Sequence, residues 1–491
     1  MRVRLIQQQK GGPSGPFLRF GTHATAPTAC VDMYRLRAEL TIENKSIVKQ
    51  QAMRGGDADP RTRLWTEADG YVTVPRGYTI PFLPGLRPRY THFDRTREVV
   101  TGPWRFTRKL RDAQRAPAAA LRQQAGDKLL CLGCGKGKTT LALEYAAEKG
   151  LRTLVIVDRD FLLTQWTKEI EACGITDAAS VGRVQGPKFR VGERITLAMV
   201  HTLAQKDFGE DFYDQFGLII VDEAHVMAAP TFGTVIPRFR GERLILTATP
   251  ERVDGMHPVF MLHAGGLKPC YTDLSRDQSA AWVFVELPPL LSEREMERCQ
   301  RRVYGRYRYR WDPATRASVR EPMMMLNRAV YDTKAAASEA FNRIILAEIA
   351  RSLEAGRHSL VLGSRVEQLE LLAAACVEAG VDASVVTSHV KGKKRDAAFT
   401  KQVLFVTSSI GNKALDVPRL DTLYMLFPND DPGFVRQAVG RIDRALGEKR
   451  TPVVVVFSHA AVPSLRKKAA AMMELVRSID PKAEVRRVRR C

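Results

Sequence analysis

Short apolar runs recur through the middle of the chain, separated by stretches with helical spacing. Residues 129–132, 154–157, 195–200, 218–221 and 244–247 each form such a run, with almost no polar side chains. A strand that is apolar on both faces is buried on both, so these runs predict a parallel sheet covered by helices. Between the first two runs, residues 139–149 predict a helix: Leu141, Tyr145 and Ala146 share one face, and Gly150 stands where a helix ends. The same grammar returns at 360–362, 385–387, 403–406, 423–426 and 453–457, with a helix predicted over 366–378. Phe341, Ile344, Ile345, Ile349 and Leu353 mark another helix leading in. Two successive α/β lobes follow, at 101–275 and 341–465.

The other segments read differently. Residues 1–100 are rich in turn signals, such as Gly11-Gly12-Pro13 and Gly55-Gly56, between short β-prone runs. They predict a small β-rich or α+β N-terminal accessory domain, a candidate DNA-binding region, closed by a Pro/Arg-rich linker. Residues 276–340 are expected to be a linker or insertion, and 466–491 a basic tail, mobile from Pro481 onward. No internal repeat is apparent.

Charge sharpens this picture. The 491 residues carry 76 Lys plus Arg against 54 Asp plus Glu, a formal +22. Such an excess favours a polyanionic partner, because each neutralised phosphate releases condensed counterions, although a merely basic soluble protein would show it too. No apolar stretch reaches the ~18 residues a membrane span needs, and the N-terminus lacks an apolar signal core. Eight scattered cysteines do not make a disulfide framework. Cys131 and Cys134 are a lone pair without zinc-site spacing, so a reducing cytoplasm is expected, that of a host if the source is viral.

The chemistry begins between the first run and its helix, at Gly133, Cys134, Gly135, Lys136, Gly137, Lys138, Thr139 and Thr140. Glycines let backbone N–H groups curl around phosphate, and the helix N-terminus adds a favourable dipole. Lys138 would reach the outer phosphates of ATP, and the Thr139 hydroxyl would bind Mg²⁺. The longer P-loop pattern has glycine where this chain has Leu132; the short Gly-x-Gly-Lys-Thr form remains. Next, the run 218–221 ends in Asp222-Glu223-Ala224-His225. Asp222 is suited to hold Mg²⁺ and Glu223 to orient or deprotonate the attacking water; as an isolated tetrapeptide the pair would equally open a helix. The run 244–247 then ends in Thr247-Ala248-Thr249-Pro250, hydroxyls at the end of a strand, which alone also fits an ordinary strand-to-loop junction. In the second lobe, Arg441 and Arg444 are three apart on a helical stretch that begins at Gln437. They can aim guanidinium groups at a transferred phosphoryl group, or be solvated and paired with Asp443 or Glu448.

Taken together and in this order, GCGKGKTT, DEAH, TATP and QAVGRIDR resemble the motif series of superfamily 2 helicases of the DEAH-box type. Residues 110–114 are similar to the adenine-recognising stretch, with Gln114 the base contact. Residues 157–166 and 199–203 resemble the first-lobe DNA-contact motifs, and 363–369 and 407–418 the fourth and fifth motifs. The likeness covers about 105 to 460 and is nearest to DNA-repair and transcription helicases, including phage recombination and repair helicases. It implies two tandem RecA-like lobes of the P-loop NTPase class, with ATP and Mg²⁺ as cofactors and DNA, single-stranded or branched, as partner. It further implies that Asp416 sits near ATP, that Gln437 contacts the nucleotide, and that His225, Thr247 and Thr249 couple hydrolysis to movement. Val74-Pro75-Arg76-Gly77-Tyr78 resembles the N-terminal domain of viral members. Lys413 departs from the glutamate common in the fifth motif.

One further segment stands out. Arg306, Tyr307, Arg308, Tyr309, Arg310 and Trp311 alternate in a strand-like pattern that puts aromatics on one face. Aromatics can stack on bases while arginines pair with phosphates; an edge strand with aromatics on the core and solvated arginines has the same pattern. The expected function is an ATP-dependent DNA helicase or translocase acting in repair, recombination or replication. An RNA helicase or transcript-release factor, a restriction motor subunit, and an inactive nucleic-acid-binding scaffold are the alternatives.

Overall fold

In the computed structural model all residues are described except 1–16, 21, 55–56, 87–89, 94–98, 176, 178, 253, 276–278, 313, 315, 388, 391, 409–416, 443–449 and 491. Contacts divide the chain into two units, residues 1–48 with 58–274 and residues 49–57 with 275–491.

In the first unit, an N-terminal sheet of β1 (Phe17–Phe20), β2 (His23–Pro27), β5 (Thr66–Ala68), β6 (Tyr71–Pro75) and β7 (Tyr90–Phe93) has the order β5-β6-β2-β1-β7. β3 (Thr41–Glu43) and β4 (Arg61–Arg63) pair separately. Helix Met33–Glu39 buries Leu36 in the same core as Ala24, Ala26, Val72 and Val74, so this segment is α+β. Instead of standing apart behind a linker, it closes directly onto the first lobe. Leu262 of that lobe belongs to its core. Arg76, just after β6, pairs with Asp127 and donates to the carbonyl oxygens of Arg240 at 3.1 Å and Gly241 at 2.7 Å. At Gly77 a Cβ would collide with the backbone of Leu262 and Gly266, so only glycine fits. Arg243, fully buried, donates to the carbonyl oxygens of Thr22 (2.9 Å), Phe239 (3.0 Å) and His263 (3.3 Å). Burial lowers the His23 imidazole to about 4 and His263 well below its usual value, which keeps both neutral beside these guanidinium groups.

The first lobe's sheet contains β8 (Lys128–Leu132), β9 (Thr153–Val157), β10 (Val181–Gln185), β11 (Lys188–Arg190), β12 (Ile195–Met199), β13 (Leu218–Val221), β14 (Glu242–Thr247) and β15 (Tyr271–Asp273). Its order is β11-β10-β12-β9-β13-β14-β8-β15, parallel throughout except at β11. The expected alternation of faces is visible in the packing. Leu129, Cys131, Leu154, Ile156, Ile219 and Val221 enter one core, while Leu130, Leu132, Val155, Val157, Leu218 and Ile220 enter the other.

The second unit repeats the scheme with β16 (Ala281–Glu286), β19 (Ser359–Gly363), β20 (Ala383–Val386), β21 (Val403–Thr407), β22 (Thr422–Met425), β23 (Val453–Ser458) and β24 (Glu484–Arg489). The order is β20-β21-β19-β22-β23-β16-β24, all parallel. Two expectations are corrected here. The segment expected to be a linker supplies β16, which lies between β23 and β24 and buries Trp282 and Phe284. The tail expected to be mobile forms helix Pro463–Ile479 and then β24, an edge strand; Arg489 at its end pairs with Glu286 at 2.9 Å and Arg490, just after it, with Glu348 at 2.7 Å. Between β16 and β19, β17 (Gln300–Asp312) and β18 (Ala317–Leu326) form a separate antiparallel ribbon. Among the described residues no helix is long and apolar enough to cross a membrane.

Candidate active site

Three neighbouring strands of the first sheet end in chemistry. In the order β13-β14-β8, the first delivers Asp222 and Glu223, the second Thr247, and the third the glycine loop. The C-terminal ends of parallel strands are where α/β sheets hold ligands, because the chain turns there and leaves backbone groups uncommitted.

The loop leaves the sheet after Leu132, the last strand residue, so glycine is not required at that position. Lys138 Nζ donates to the carbonyl oxygens of Leu132 at 3.1 Å and Gly133 at 3.4 Å. Gly135 and Gly137 have φ of 78° and 79°, a region side chains rarely adopt. Gly137 starts helix Lys138–Lys149, and Gly150, with φ of 61°, ends it by donating to Ala146. Thr139 and Thr140 lie in its first turn, with Thr140 buried. Cys131 lies buried in β8, where burial pushes its thiol up to about 12, and Cys134 is half-buried in the loop.

Two neighbours hold the loop. Gln114, buried in helix Asp112–Gln123, accepts from the Arg111 N–H at 2.9 Å and donates to Gly137 O at 3.3 Å. The Arg111 guanidinium donates to Gly135 O at 2.9 Å. On the other side, Asp273 at the end of β15 accepts from Lys136 Nζ at 2.6 Å, and its carbonyl oxygen accepts from the Gly133 N–H at 2.9 Å.

Asp222 is buried, with one carboxylate oxygen accepting from Trp166 Nε1–H at 2.9 Å and the other from the Glu223 N–H at 2.9 Å. Burial, and next the adjacent Glu223, push its carboxyl up to about 6, against the opposing pull of Lys138 and Trp166. Glu223 has φ of 49°, strained for a residue with a side chain. It precedes the short 3₁₀ helix Ala224–Ala228 without making a side-chain cap bond, so the acidic pair does not serve as a helix cap. His225 Nδ1 lies 3.4 Å from Glu223 Oε2 and 3.3 Å from Thr249 Oγ1, and the Thr249 N–H donates to Thr247 Oγ1 at 3.0 Å. This chain of contacts links the ends of β13 and β14. Arg252 extends it, donating to the carbonyl oxygen of His225 at 2.5 Å and pairing with Asp254 at 2.6 Å.

A triphosphate with a divalent cation fits this donor set. The Lys138 ammonium rests on carbonyl oxygens beside the open start of a helix, while burial and, after it, the adjacent Glu223 drive the Asp222 carboxyl toward its neutral form. Lys138 would hold phosphate oxygens, and Thr139 and Asp222 the cation. Trp166 sits inside the stretch that resembles a DNA-contact motif, yet its ring N–H is spent on Asp222. Trp166→Phe is therefore expected to raise the Mg²⁺ concentration needed for ATP hydrolysis about 10-fold. At limiting Mg²⁺, activity of the parent should fall on the acid side, where the proton that burial and Glu223 favour on Asp222 competes with the cation. Losing a bond to the charged form raises the affinity for that proton, so the acid limb should move to higher pH in the variant. Mg²⁺ titrations and pH profiles of hydrolysis check both; unchanged curves would leave Trp166 a packing residue only.

In the second unit, Gln437 is buried in helix Pro432–Val439, which Asp431 caps by accepting from the Phe434 N–H at 2.6 Å. Arg441 follows it, half-buried. Asp416, Lys413 and Arg444 lie outside the described residues. The basic and aromatic stretch lies in β17; Tyr309 and Trp311 are 70% and 61% exposed, so they do not cover a core. The side chains of Arg306, Arg308 and Arg310 lie outside the described residues.

Residues 107–252, which carry the glycine loop, the acidic pair and the threonines, match the family model described as type III restriction enzyme, res subunit. The chain is also similar to proteins named as helicases. It is 23% identical over 404 residues to a putative ATP-dependent RNA helicase, L396, of Acanthamoeba polyphaga mimivirus, covering 80% of this chain and 72% of that one. It is 26% identical over 328 residues to the DNA 3'-5' helicase XPB of Mycobacterium tuberculosis, covering 63% of this chain and about half, 53%, of XPB. The solved structure of Saccharomyces cerevisiae Dbp5 bound to RNA and ADP BeF3 superimposes with a TM-score of 0.53 at 11% identity, over 78% of this chain and 90% of that one. At that identity the likeness concerns fold alone: the parallel-sheet lobes are RecA-like.

The comparisons leave the individual site residues to the geometry. Sequence reasoning passed over Arg111, Asp273 and Arg252 as site residues, because their contacts with the loop and with His225 are made across the sheet and leave no local signature.

Proposed function

We propose that this helicase relative is an ATP-driven DNA motor of the DEAH-box kind, moving 3′ to 5′ along one strand and remodelling duplex or branched DNA in repair, recombination or replication. The observation that carries the reading is the convergence of the glycine loop, the acidic pair and the threonine pair on three adjacent strand ends. In this reading Gln114 turns from Gly137 toward adenine, and Lys138 leaves its carbonyl cradle for the phosphates. Mg²⁺, held by Thr139 and Asp222, would supply neutralisation of the phosphate charge. Glu223 accepts a proton from the attacking water. His225, bridging Glu223 and Thr249, passes the change to β14. Gln437, Arg441 and Arg444 of the second unit are assigned the stabilisation of charge on the transferred group. The net charge of +22 supports a phosphate-backbone partner held without sequence preference.

The similarity to a protein named as an RNA helicase supports a second reading, an RNA-directed motor. Hydrolysis measured with single-stranded DNA, branched DNA and RNA decides between them. DNA, branched DNA above all, should stimulate most, and Lys138→Ala should show no stimulated activity. Stronger stimulation by RNA would reject the DNA assignment, and no stimulation by any of them would remove the motor.

A further inference from the structure

We propose that the ribbon of β17 and β18 binds single-stranded DNA, stacking bases on Tyr309 and Trp311; the inference deepens the motor reading and rests on it. The ribbon's two strands pair only with each other among the described residues. Its base is fixed, since Cys299 and Leu326 pack with Tyr331, Ala335 and Leu465, and the Asn327 N–H donates to Cys299 O at 2.6 Å. Further out, large side chains face solvent: Tyr309 at 70% and Trp311 at 61% exposure. Aromatics of this size normally bury 150–250 Å² each, so leaving two in water two residues apart is costly unless something covers them.

The register decides what they can do together. Tyr307 faces Pro322, Tyr309 faces Arg320 and Trp311 faces Ser318, so the three aromatics and Arg320 share one face. One face of the Tyr307 ring and its hydroxyl are already engaged. Arg320 lies 3.6 Å from its centroid, and Arg302 donates to its hydroxyl at 3.1 Å. It thus acts as a buttress and leaves Tyr309 and Trp311 as the open pair. Side chains two apart on a strand are separated by about 6.6 Å, roughly twice the 3.4 Å per nucleotide of a stacked strand. A slot of that width admits one base between two rings. Bases in a duplex, each in contact with the next, cannot enter it; a single strand with separated bases can.

Charge selects the same ligand. Residues 300–326 include seven arginines against Asp312 and Glu321 alone. An apolar protein partner would gain nothing from that excess, whereas a phosphodiester strand releases counterions on meeting it. Because every base has a stacking face, binding should tolerate any sequence.

The test uses the full chain and a fluorescently labelled oligothymidylate. Tyr309→Ala and Trp311→Ala should each weaken binding about 5- to 100-fold with the salt dependence unchanged, because no phosphate contact is removed. Val319→Ser, on the opposite face, should bind like the parent. Trp311 is exposed whereas Trp166 and Trp282 are buried and Trp65 and Trp104 half-buried, so tryptophan fluorescence should be quenched by the oligonucleotide in the parent and not in Trp311→Phe. If single-stranded DNA stimulates the parent's hydrolysis but both alanine variants bind as tightly as the parent, the ribbon proposal is overturned and the motor stands. If an RNA oligomer is bound more tightly with the same dependence on Tyr309 and Trp311, the assignment to DNA is overturned. A parent without stimulated hydrolysis overturns the motor reading itself.

Discussion

Glu223→Gln is expected to bind ATP as the parent does and to hydrolyse it about 10² to 10⁴ times more slowly. Glutamine keeps the size of the side chain beside His225, but it has no oxygen basic enough to take a proton from water. The backbone strain at this position, φ of 49°, is no worse for glutamine than for glutamate, so the fold should survive. Removing the second carboxylate also relieves the repulsion that contributes to driving the Asp222 carboxyl up. Asp222 and Thr139 remain to hold Mg²⁺, and a Mg²⁺ titration of the variant separates loss of turnover from loss of the cation. Single-turnover hydrolysis beside binding of a fluorescent ATP analogue separates the two steps. Parent-like turnover would take Glu223 out of the chemistry.

Arg76→Ala is expected to destabilise the first unit by about 3–5 kcal/mol, the range seen when one member of a buried ion pair is deleted. The side chains of Arg76 and Asp127 are each 9% exposed. Arg76 also satisfies the carbonyl oxygens of Arg240 and Gly241, and Asp127 accepts from the Arg243 N–H at 2.9 Å. Deleting Arg76 leaves a carboxylate and two carbonyls without their cation, directly ahead of the strand that carries the glycine loop. Arg76→Lys should rescue little, because an ammonium cannot span the carboxylate and both carbonyls as the planar guanidinium does. The double variant Arg76→Ala/Asp127→Ala should recover part of the loss, since no charge is then stranded. Urea unfolding of the two single variants and the double one gives the coupling energy; a loss below about 1 kcal/mol in Arg76→Ala would show the pair to be solvated and the junction held by packing alone.

Much of the first sheet could be read from residue order. A run such as 218–221, apolar on both faces, is stable only between two layers, and β13 does bury every residue of it. Gly137 and Gly150 are legible for the same kind of reason, since left-handed backbone at either end of a helix calls for glycine. The misreadings share a cause too. From sequence, 276–340 reads as a linker because the partners of β16 within it, β23 and β24, come about 170 and 200 residues later. The arginines of β24 read as a mobile tail because an edge strand tolerates charge on the side that no strand covers. The basic and aromatic stretch was open between two readings until exposure showed that Tyr309 and Trp311 cover nothing.

Local chemistry alone thus determined the doubly buried strands such as 218–221, the glycine loop, the positions of Asp222, Glu223, Thr247 and Thr249, and the polyanion-seeking charge, since each depends on a residue and its near neighbours. Only the tertiary structure decided that Trp166 is bonded to Asp222, that Asp273 and Arg111 hold the loop, and that Arg76 locks the N-terminal segment onto the first lobe. These are contacts between residues 24 to 137 positions apart, and a hydrogen bond or ion pair across such a distance is set by how sheets and helices pack.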